Sequence, residues 1–225
     1  CYNWMPDEDW QRTRCGVPSR GGSKVTAFDR SEAGARSNVT DAAGRPGSAT
    51  PAAVLWENLE RFLGEVVPVA EDAGVKLALH PDDPPLASLG GQDRIIVSVE
   101  ALERAVALVP SEANGVCYCT GSLGVFGQDV VLDGIGRLAG KIAFAHVRNV
   151  RGTAEKFEET WHDDGGLDLV EVVRALAASG FSGTLRPDHA PSMAGESNET
   201  PGYEMRGRLY AAGYLRGVMQ STGGS

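Results

Sequence analysis

The sequence predicts an α/β fold built on a parallel sheet, and three observations predict it. Short apolar runs of strand length alternate with stretches whose apolar residues recur at three- and four-residue steps. Each apolar run stops at a polar motif rich in His, Asp, Cys or Arg. The order strand, helix, strand repeats along the chain, which calls for parallel strands joined by right-handed crossovers. Such a sheet either closes into a barrel or stays open, and in both forms functional side chains gather at the carboxyl ends of the strands.

Taken in order, Tyr2-Asn3-Trp4-Met5-Pro6 reads as the end of a strand, aromatic and apolar and stopped by proline. The chain starts at Cys1 without an initiator methionine, so a preceding segment is expected. From about 15 to 51 the composition shifts to Gly, Ser, Arg, Ala and Pro with little periodicity, as in a long loop or insertion. Leu55, Leu59, Phe62, Leu63, Val66, Val67 and Ala70 mark a helix with Gly74 at its C-cap, and Pro68 is expected to kink or break it. Residues 75–79 form a buried strand that ends at His80-Pro81-Asp82-Asp83-Pro84-Pro85. A helix over 99–109 starts from Ser98 as N-cap. The strand 115–119 ends in Thr120-Gly121-Ser122-Leu123-Gly124, a Gly-rich turn resembling an anion nest without the spacing of a P-loop. A short helix over 131–139 leads to the strand 142–145, which ends at His146-Val147-Arg148-Asn149. After a polar loop carrying His162, Asp168 and Glu171 give a capped start to a helix ending near Gly180. The last strand, 181–185, delivers Arg186, Asp188 and His189 into a Gly/Ser/Asn/Pro-rich loop, and an amphipathic helix over 203–220 follows. All of this fits one domain over 1–225.

A net charge of −9 argues against nucleic-acid and anionic-membrane partners, while a local metal or arginine leaves small anionic substrates open. No apolar run approaches the roughly 20 residues of a membrane span, and the first residues carry no signal pattern, so a cytoplasmic protein is expected. Cys1, Cys15, Cys117 and Cys119 are too few and too unevenly placed for a disulfide framework and are expected as thiols.

His80, His146 and His189 all lie at strand carboxyl ends, together with Cys119 and Asp188. If the strands are neighbours, these side chains converge where His, Cys and Asp can hold a divalent metal. Each has a structural alternative when taken alone. A histidine at a strand end is commonly a hydrogen-bonded support, a cysteine a core residue, and Asp82 and Asp83 turn residues between prolines. Cys117 is read as core and His162 as a loop residue.

The run YNWMP with DWQRT, then HPDDPP, CTGSLG, HVRNV and RPDH with a downstream PGY, resembles the mannonate dehydratase family over nearly all of the chain except about 15–51. Ala190 stands where family members commonly have glycine. The resemblance implies a (β/α)8 TIM barrel of the xylose isomerase-like class, of which the five strand ends represent about the last five β/α units. It implies manganese-dependent dehydration of D-mannonate to 2-keto-3-deoxy-D-gluconate in hexuronate breakdown. It also implies metal ligands at His80, Cys119, His146 and Asp188, and a proton-transfer pair at His189 and Tyr203. By softness, a thiolate with two imidazoles favours Zn²⁺, Co²⁺ or Fe²⁺ over Mn²⁺. Arg148 or Arg186 can pair with the substrate carboxylate, or be held in a structural ion pair, and Asn3 is a further substrate contact.

The chemistry agrees with this set. Removing water from a 2,3-dihydroxy acid needs charge stabilisation at the carboxylate, a base for the C2 proton and an acid for the C3 hydroxyl. A sugar isomerase or epimerase of the same barrel class is the alternative, and an inactive chain that retains the metal site is a third reading. The expected partner is a small sugar acid, and a homo-oligomer is compatible with it. Five strands of an eight-stranded barrel would leave two long edges uncovered. The purified chain is therefore expected to melt at low temperature, and a sharp, cooperative, high-temperature melt in calorimetry would count against a partial barrel.

Overall fold

A computed structural model describes residues 1–4, 12–33 and 49–223. The first elements are the hairpin β1 (Arg14–Pro18) and β2 (Lys24–Asp29), followed by the long helix α1 (Ala52–Asp72). Next come β3 (Leu77–Leu79), the two-residue strands β4 (Ser88–Leu89) and β5 (Gln92–Asp93), and α2 (Val99–Leu108). The chain continues through β6 (Asn114–Cys119), the short α3 (Thr120–Gly124), α4 (Gln128–Arg137) and β7 (Ile142–His146). A second hairpin, β8 (Val150–Thr153) and β9 (Lys156–Glu159), precedes α5 (Leu169–Ala178), β10 (Thr184–Arg186) and α6 (Met205–Ser221).

The central sheet is parallel, in the order β10-β7-β6-β3, and Tyr2 adds a single parallel bridge to Leu79 beyond β3. Among the described residues the sheet is open. Four strands and a one-residue bridge therefore stand where five full strands are expected from the sequence. Tyr2 is fixed by its N–H on the Ala78 carbonyl and its own carbonyl on the His80 N–H. Met5, Pro6 and the first residues of DWQRT lie outside the described residues, as does 34–48 of the expected insertion.

Apolar stripes on the helices build the core against this sheet. In α1 the buried residues Leu55, Leu59, Leu63, Val67 and Ala70 keep the expected spacing. They meet Leu102 of α2, Val116 and Tyr118 of β6, Ile135 of α4, and Val172 of α5 in one continuous cluster. Two predicted caps are formed: Ser98 Oγ accepts the Ala101 N–H, and Asp168 Oδ1 accepts those of Val170 and Glu171. Pro68 neither breaks nor ends α1. It and Gly64, whose carbonyl loses its helical partner, both lie on the exposed side, where water takes over that bond.

Three expected loops are corrected. Part of the stretch 15–51 is the β1–β2 hairpin, and the polar loop after Asn149 contains the β8–β9 hairpin. The four strands form one antiparallel sheet, β1-β2-β9-β8. Its cohesion is long-range: Phe28 of β2 faces Phe157 of β9 with ring centroids 5.7 Å apart, both buried. The Gly-rich TGSLG turn is also not a loop, but the helix α3 directly after Cys119.

This second sheet is tied to the loop that follows β10. Lys24 and Ser192 exchange both backbone hydrogen bonds, and Asn198 Nδ2 donates to the Cys15 carbonyl at 2.7 Å. Gly207 at the start of α6 lies against the Pro191 carbonyl, with no room for a Cβ. The loop carrying His189 and Tyr203 is thus held from both sides. No helix among the described residues is long and apolar enough to cross a membrane.

Candidate metal and proton-transfer site

Strand register brings the predicted ligands together. Cys119 and His146 are paired residues at the ends of β6 and β7, and His146 is paired in turn with Arg186 of β10. His80 follows the last residue of β3, and Asp188 lies two residues beyond β10. His80, Cys119, His146 and Asp188 each turn a ligand atom inward, and the four atoms lie within 4.8 Å of one another. All four residues are buried.

Local bonding presents the right atoms. His80 Nδ1 lies 2.6 Å from the Pro81 carbonyl, which can only accept, so this nitrogen carries a proton and Nε2 is the atom turned to the cluster. Asp188 adopts φ 56°, a left-handed conformation that Asp tolerates better than most residues, and its carboxylate is nearly inaccessible at 3%. His162 is buried and sits 3.0 Å from the Pro187 carbonyl, supporting that turn. It is a structural histidine, as its loop position suggests.

Two features of the site bear on a divalent metal. Both ring nitrogens of His146 are buried, and they face the Cys119 sulfur and the Asp188 carboxylate, 3.6 Å from Nδ1, an arrangement that suits a cation taking the lone pair. The buried charges point the same way. Among the described residues, Asp83, Glu159, Asp188 and an ionised Cys119 face two buried guanidinium groups, Arg12 and Arg148, with His80 as a further buried base, and Arg186 pairs with Asp188 from the cavity edge. Burial pushes the Cys119 thiol up, but Arg148, His80 and the contacts of His146 hold it well below the usual thiol range. Burial pulls His80 down, and the charges of Cys119, Asp188 and Asp83 lift it to about 9. An incoming metal would displace that proton. The residues fit a divalent ion.

Beside this cluster, His189 Nε2 lies 2.7 Å from Tyr203 Oη, and His189 Nδ1 lies 2.7 Å from Glu159 Oε1. Burial pushes the Tyr203 phenol up to about 12, so it is protonated at neutral pH. A cavity of about 310 Å³ opens here, lined by Tyr2, Asn3, His80, Asp83, His146, Arg186, Asp188, His189 and Tyr203, with Cys1 at its edge.

Arg148 does not line it. Its guanidinium is 1% exposed and bonds Asp188 at 2.9 Å, Glu159 at 2.8 Å and Asp83. The sequence reading of Arg148 as a substrate contact is therefore replaced by its alternative, a structural ion pair. Arg186 remains at the cavity, bonded to Asp188 at 3.2 Å with its buried Nε unpartnered. Asp82 is structural too, accepting the Ile96 N–H at 3.0 Å. Sequence reasoning missed Arg12 and Glu159. Neither follows an apolar strand of the parallel sheet, and Glu159 meets His189 only through the unexpected β8–β9 hairpin.

A family model described as D-mannonate dehydratase (UxuA) matches residues 1–43 and 48–224. The chain belongs to the mannonate dehydratase family. It is 36% identical over 245 residues to the mannonate dehydratase of Streptococcus agalactiae serotype III (strain NEM316), covering 99% of this chain and 70% of that one. A similar match, also 36%, joins it to the enzyme of Streptococcus suis (strain 05ZYH33), of which it spans 66%. The crystal structure of mannonate dehydratase from Streptococcus suis serotype2 superposes with a TM-score of 0.85 at 37% identity, covering 99% of this chain and 66% of that one. A D-tagatose 3-epimerase-like protein shares the fold, with a TM-score of 0.59 at 18% identity over 79% of this chain and 61% of that one. The parallel sheet and its helices thus form an α/β fold shared with these proteins.

The ion-pair network generates a prediction about acid stability. Burial alone would raise Asp83, Glu159 and Asp188. The nearby guanidinium and imidazole groups instead hold all three below their usual range, Asp188 at about 2. Depressed carboxylates stabilise the fold above their unfolded values near pH 4, and that stability is lost as the pH falls through the folded values. Arg148→Met should lower the unfolding free energy by about 3–5 kcal/mol at neutral pH, because it leaves buried carboxylates unpaired. In urea titrations the gap from the native protein should shrink below about pH 4. A gap under about 1 kcal/mol at neutral pH would show that the network is not what holds the site.

Proposed function

We propose that this chain dehydrates D-mannonate to 2-keto-3-deoxy-D-gluconate and water, as a metal-dependent hydro-lyase of hexuronate breakdown. One observation carries the proposal: four metal-ligand atoms converge within 4.8 Å beside an imidazole and a phenol 2.7 Å apart, at a single cavity. Membership of the mannonate dehydratase family supports the substrate. We take the resident ion to be manganese, held by His80, Cys119, His146 and Asp188, with the thiolate also suited to Fe²⁺, Co²⁺ or Zn²⁺. When bound, the ion supplies Lewis-acid stabilisation of the negative charge that builds at the substrate carboxylate.

The protein's own groups bind the acid and move one proton. Arg186, half-turned to the cavity, pairs with the carboxylate, and the Asn3 amide hydrogen-bonds the sugar hydroxyls. His189 and Tyr203 share a hydrogen bond, so a proton taken at one is delivered through the other. They remove the C2 proton and protonate the departing C3 hydroxyl. The C2–H and C3–O bonds break, a C2–C3 double bond forms, and the resulting enol rearranges to the 2-keto acid. One proton enters the pair and one leaves it. A cytoplasmic location and assembly as a homo-oligomer, with no nucleic-acid or membrane partner, belong to the same proposal.

The test supplies D-mannonate and Mn²⁺ and assays for a 2-keto-3-deoxy acid. The native chain should form it, and Tyr203→Phe and His189→Asn should each lower kcat by about 100-fold or more while retaining the ion. Cys119→Ser should lose the ion. Absence of the keto acid, with interconversion of a neutral ketose instead, would make the chain an epimerase or isomerase. Bound metal with neither activity would leave an inactive metal site.

A further inference from the structure

The proton-transfer pair works only if the His189 ring is held with the correct nitrogen free, and the antiparallel sheet supplies the group that does so. We propose that Glu159 is the positioning residue for His189: its carboxylate holds Nδ1–H, so that Nε2 faces Tyr203 and the cavity as an acceptor. This rests on the proton-transfer role proposed for His189 and Tyr203.

Glu159 ends β9, an antiparallel strand, and reaches His189 from 30 residues away. Its own position is over-determined. Oε2 accepts Thr26 Oγ1 at 2.9 Å, and Oε1 accepts Arg148 at 2.8 Å as well as Arg12 and His189. The residue is 6% exposed. A carboxylate held by two guanidinium groups keeps no proton to donate, so the hydrogen bond to Nδ1 requires the proton on the ring nitrogen. A neutral imidazole carries one N–H, which leaves Nε2 as the acceptor for the Tyr203 hydroxyl. The opposite tautomer would set the Nδ1 lone pair against the carboxylate and lose that hydrogen bond, with Nε2–H turned to donate to Tyr203. Glu159 also has a plainer role, since it helps neutralise Arg12 and Arg148. Asp83 already bonds both of those cations, and the contact to His189 is additional.

Two measurements separate these roles. The first is ¹⁵N NMR of the full chain loaded with Zn²⁺ and labelled at its four histidines. The His189 resonances, identified by their loss in His189→Ala, should report Nδ1–H with Nε2 unprotonated. The second is kinetic. Glu159→Gln should lower kcat for D-mannonate by about 100-fold, with KM within about threefold and metal stoichiometry unchanged. In a His189→Ala background it should cost nothing more, because the two residues act as one unit. Glu159→Asp keeps the charge on the arginines but withdraws it from the ring, and should show the same kcat loss if Glu159→Gln is unstable. A native His189 protonated on Nε2 alone would overturn the proposal. So would equal losses in both backgrounds, or full activity in both variants. If the native chain forms no keto acid, the proposed dehydration fails, and the NMR result alone decides the role of Glu159.

Discussion

The charge of Arg148 is the constraint on which the site depends. A guanidinium at 1% exposure is tolerable only with partners, and it has three, Asp83, Glu159 and Asp188. Thr120 locks its backbone, accepting the Arg148 N–H at 3.0 Å and donating its hydroxyl to the Arg148 carbonyl at 2.6 Å. Gly121 leaves the space the guanidinium fills, since a Cβ there would strike it directly. The arginine in turn keeps three buried carboxylates ionised. Arg148 and Arg12 thus face four buried acids, Cys119 among them, and His80 and Arg186 add positive charge at the same cluster.

The same ion pairs join two sheets that share no strand. Arg12 precedes β1, Asp83 follows β3, Arg148 follows β7, Glu159 ends β9, and Asp188 follows β10. Five segments separated along the chain therefore meet at the carboxyl end of the parallel sheet, and the antiparallel sheet covers them from one side. Low local dielectric makes each of these contacts stronger than it would be at the surface, and makes a missing partner correspondingly costly. The proposed chemistry draws on both sheets: the parallel one carries the candidate ligands and leads to His189, the antiparallel one the carboxylate at the His189 ring.

The parts of this site that were legible in the sequence are those encoded locally. His80, Cys119, His146 and Asp188 each follow a short apolar run, so strand periodicity and position were enough to bring them to one end of a sheet. Ser98 and Asp168 cap their helices within three residues of themselves. The hairpins were not legible, because KVTAFD and KFEE are short and their cohesion comes from Phe28 meeting Phe157 across the fold. The β-branched and aromatic run at 25–28, bounded by Gly-Gly-Ser and Asp, was the available signal. Glu159 and Arg12 carried none, since Glu159 meets His189 from 30 residues away and Arg12 meets Asp83 from 71. Arg148 was read with both of its roles open, and only burial decides between them. Pro68 misled for a related reason: its cost in a helix depends on which face it occupies.

The proposed function requires one thiolate, two imidazoles and one carboxylate to hold a single divalent ion beside the proton-transfer pair. X-ray absorption at the metal edge tests it most directly, on the chain reconstituted with one equivalent of Zn²⁺. The account predicts one sulfur at about 2.3 Å and nitrogen or oxygen neighbours at about 2.0–2.2 Å, with the sulfur shell absent in Cys119→Ser. A shell without sulfur in the native chain, or two sulfur ligands, would contradict it.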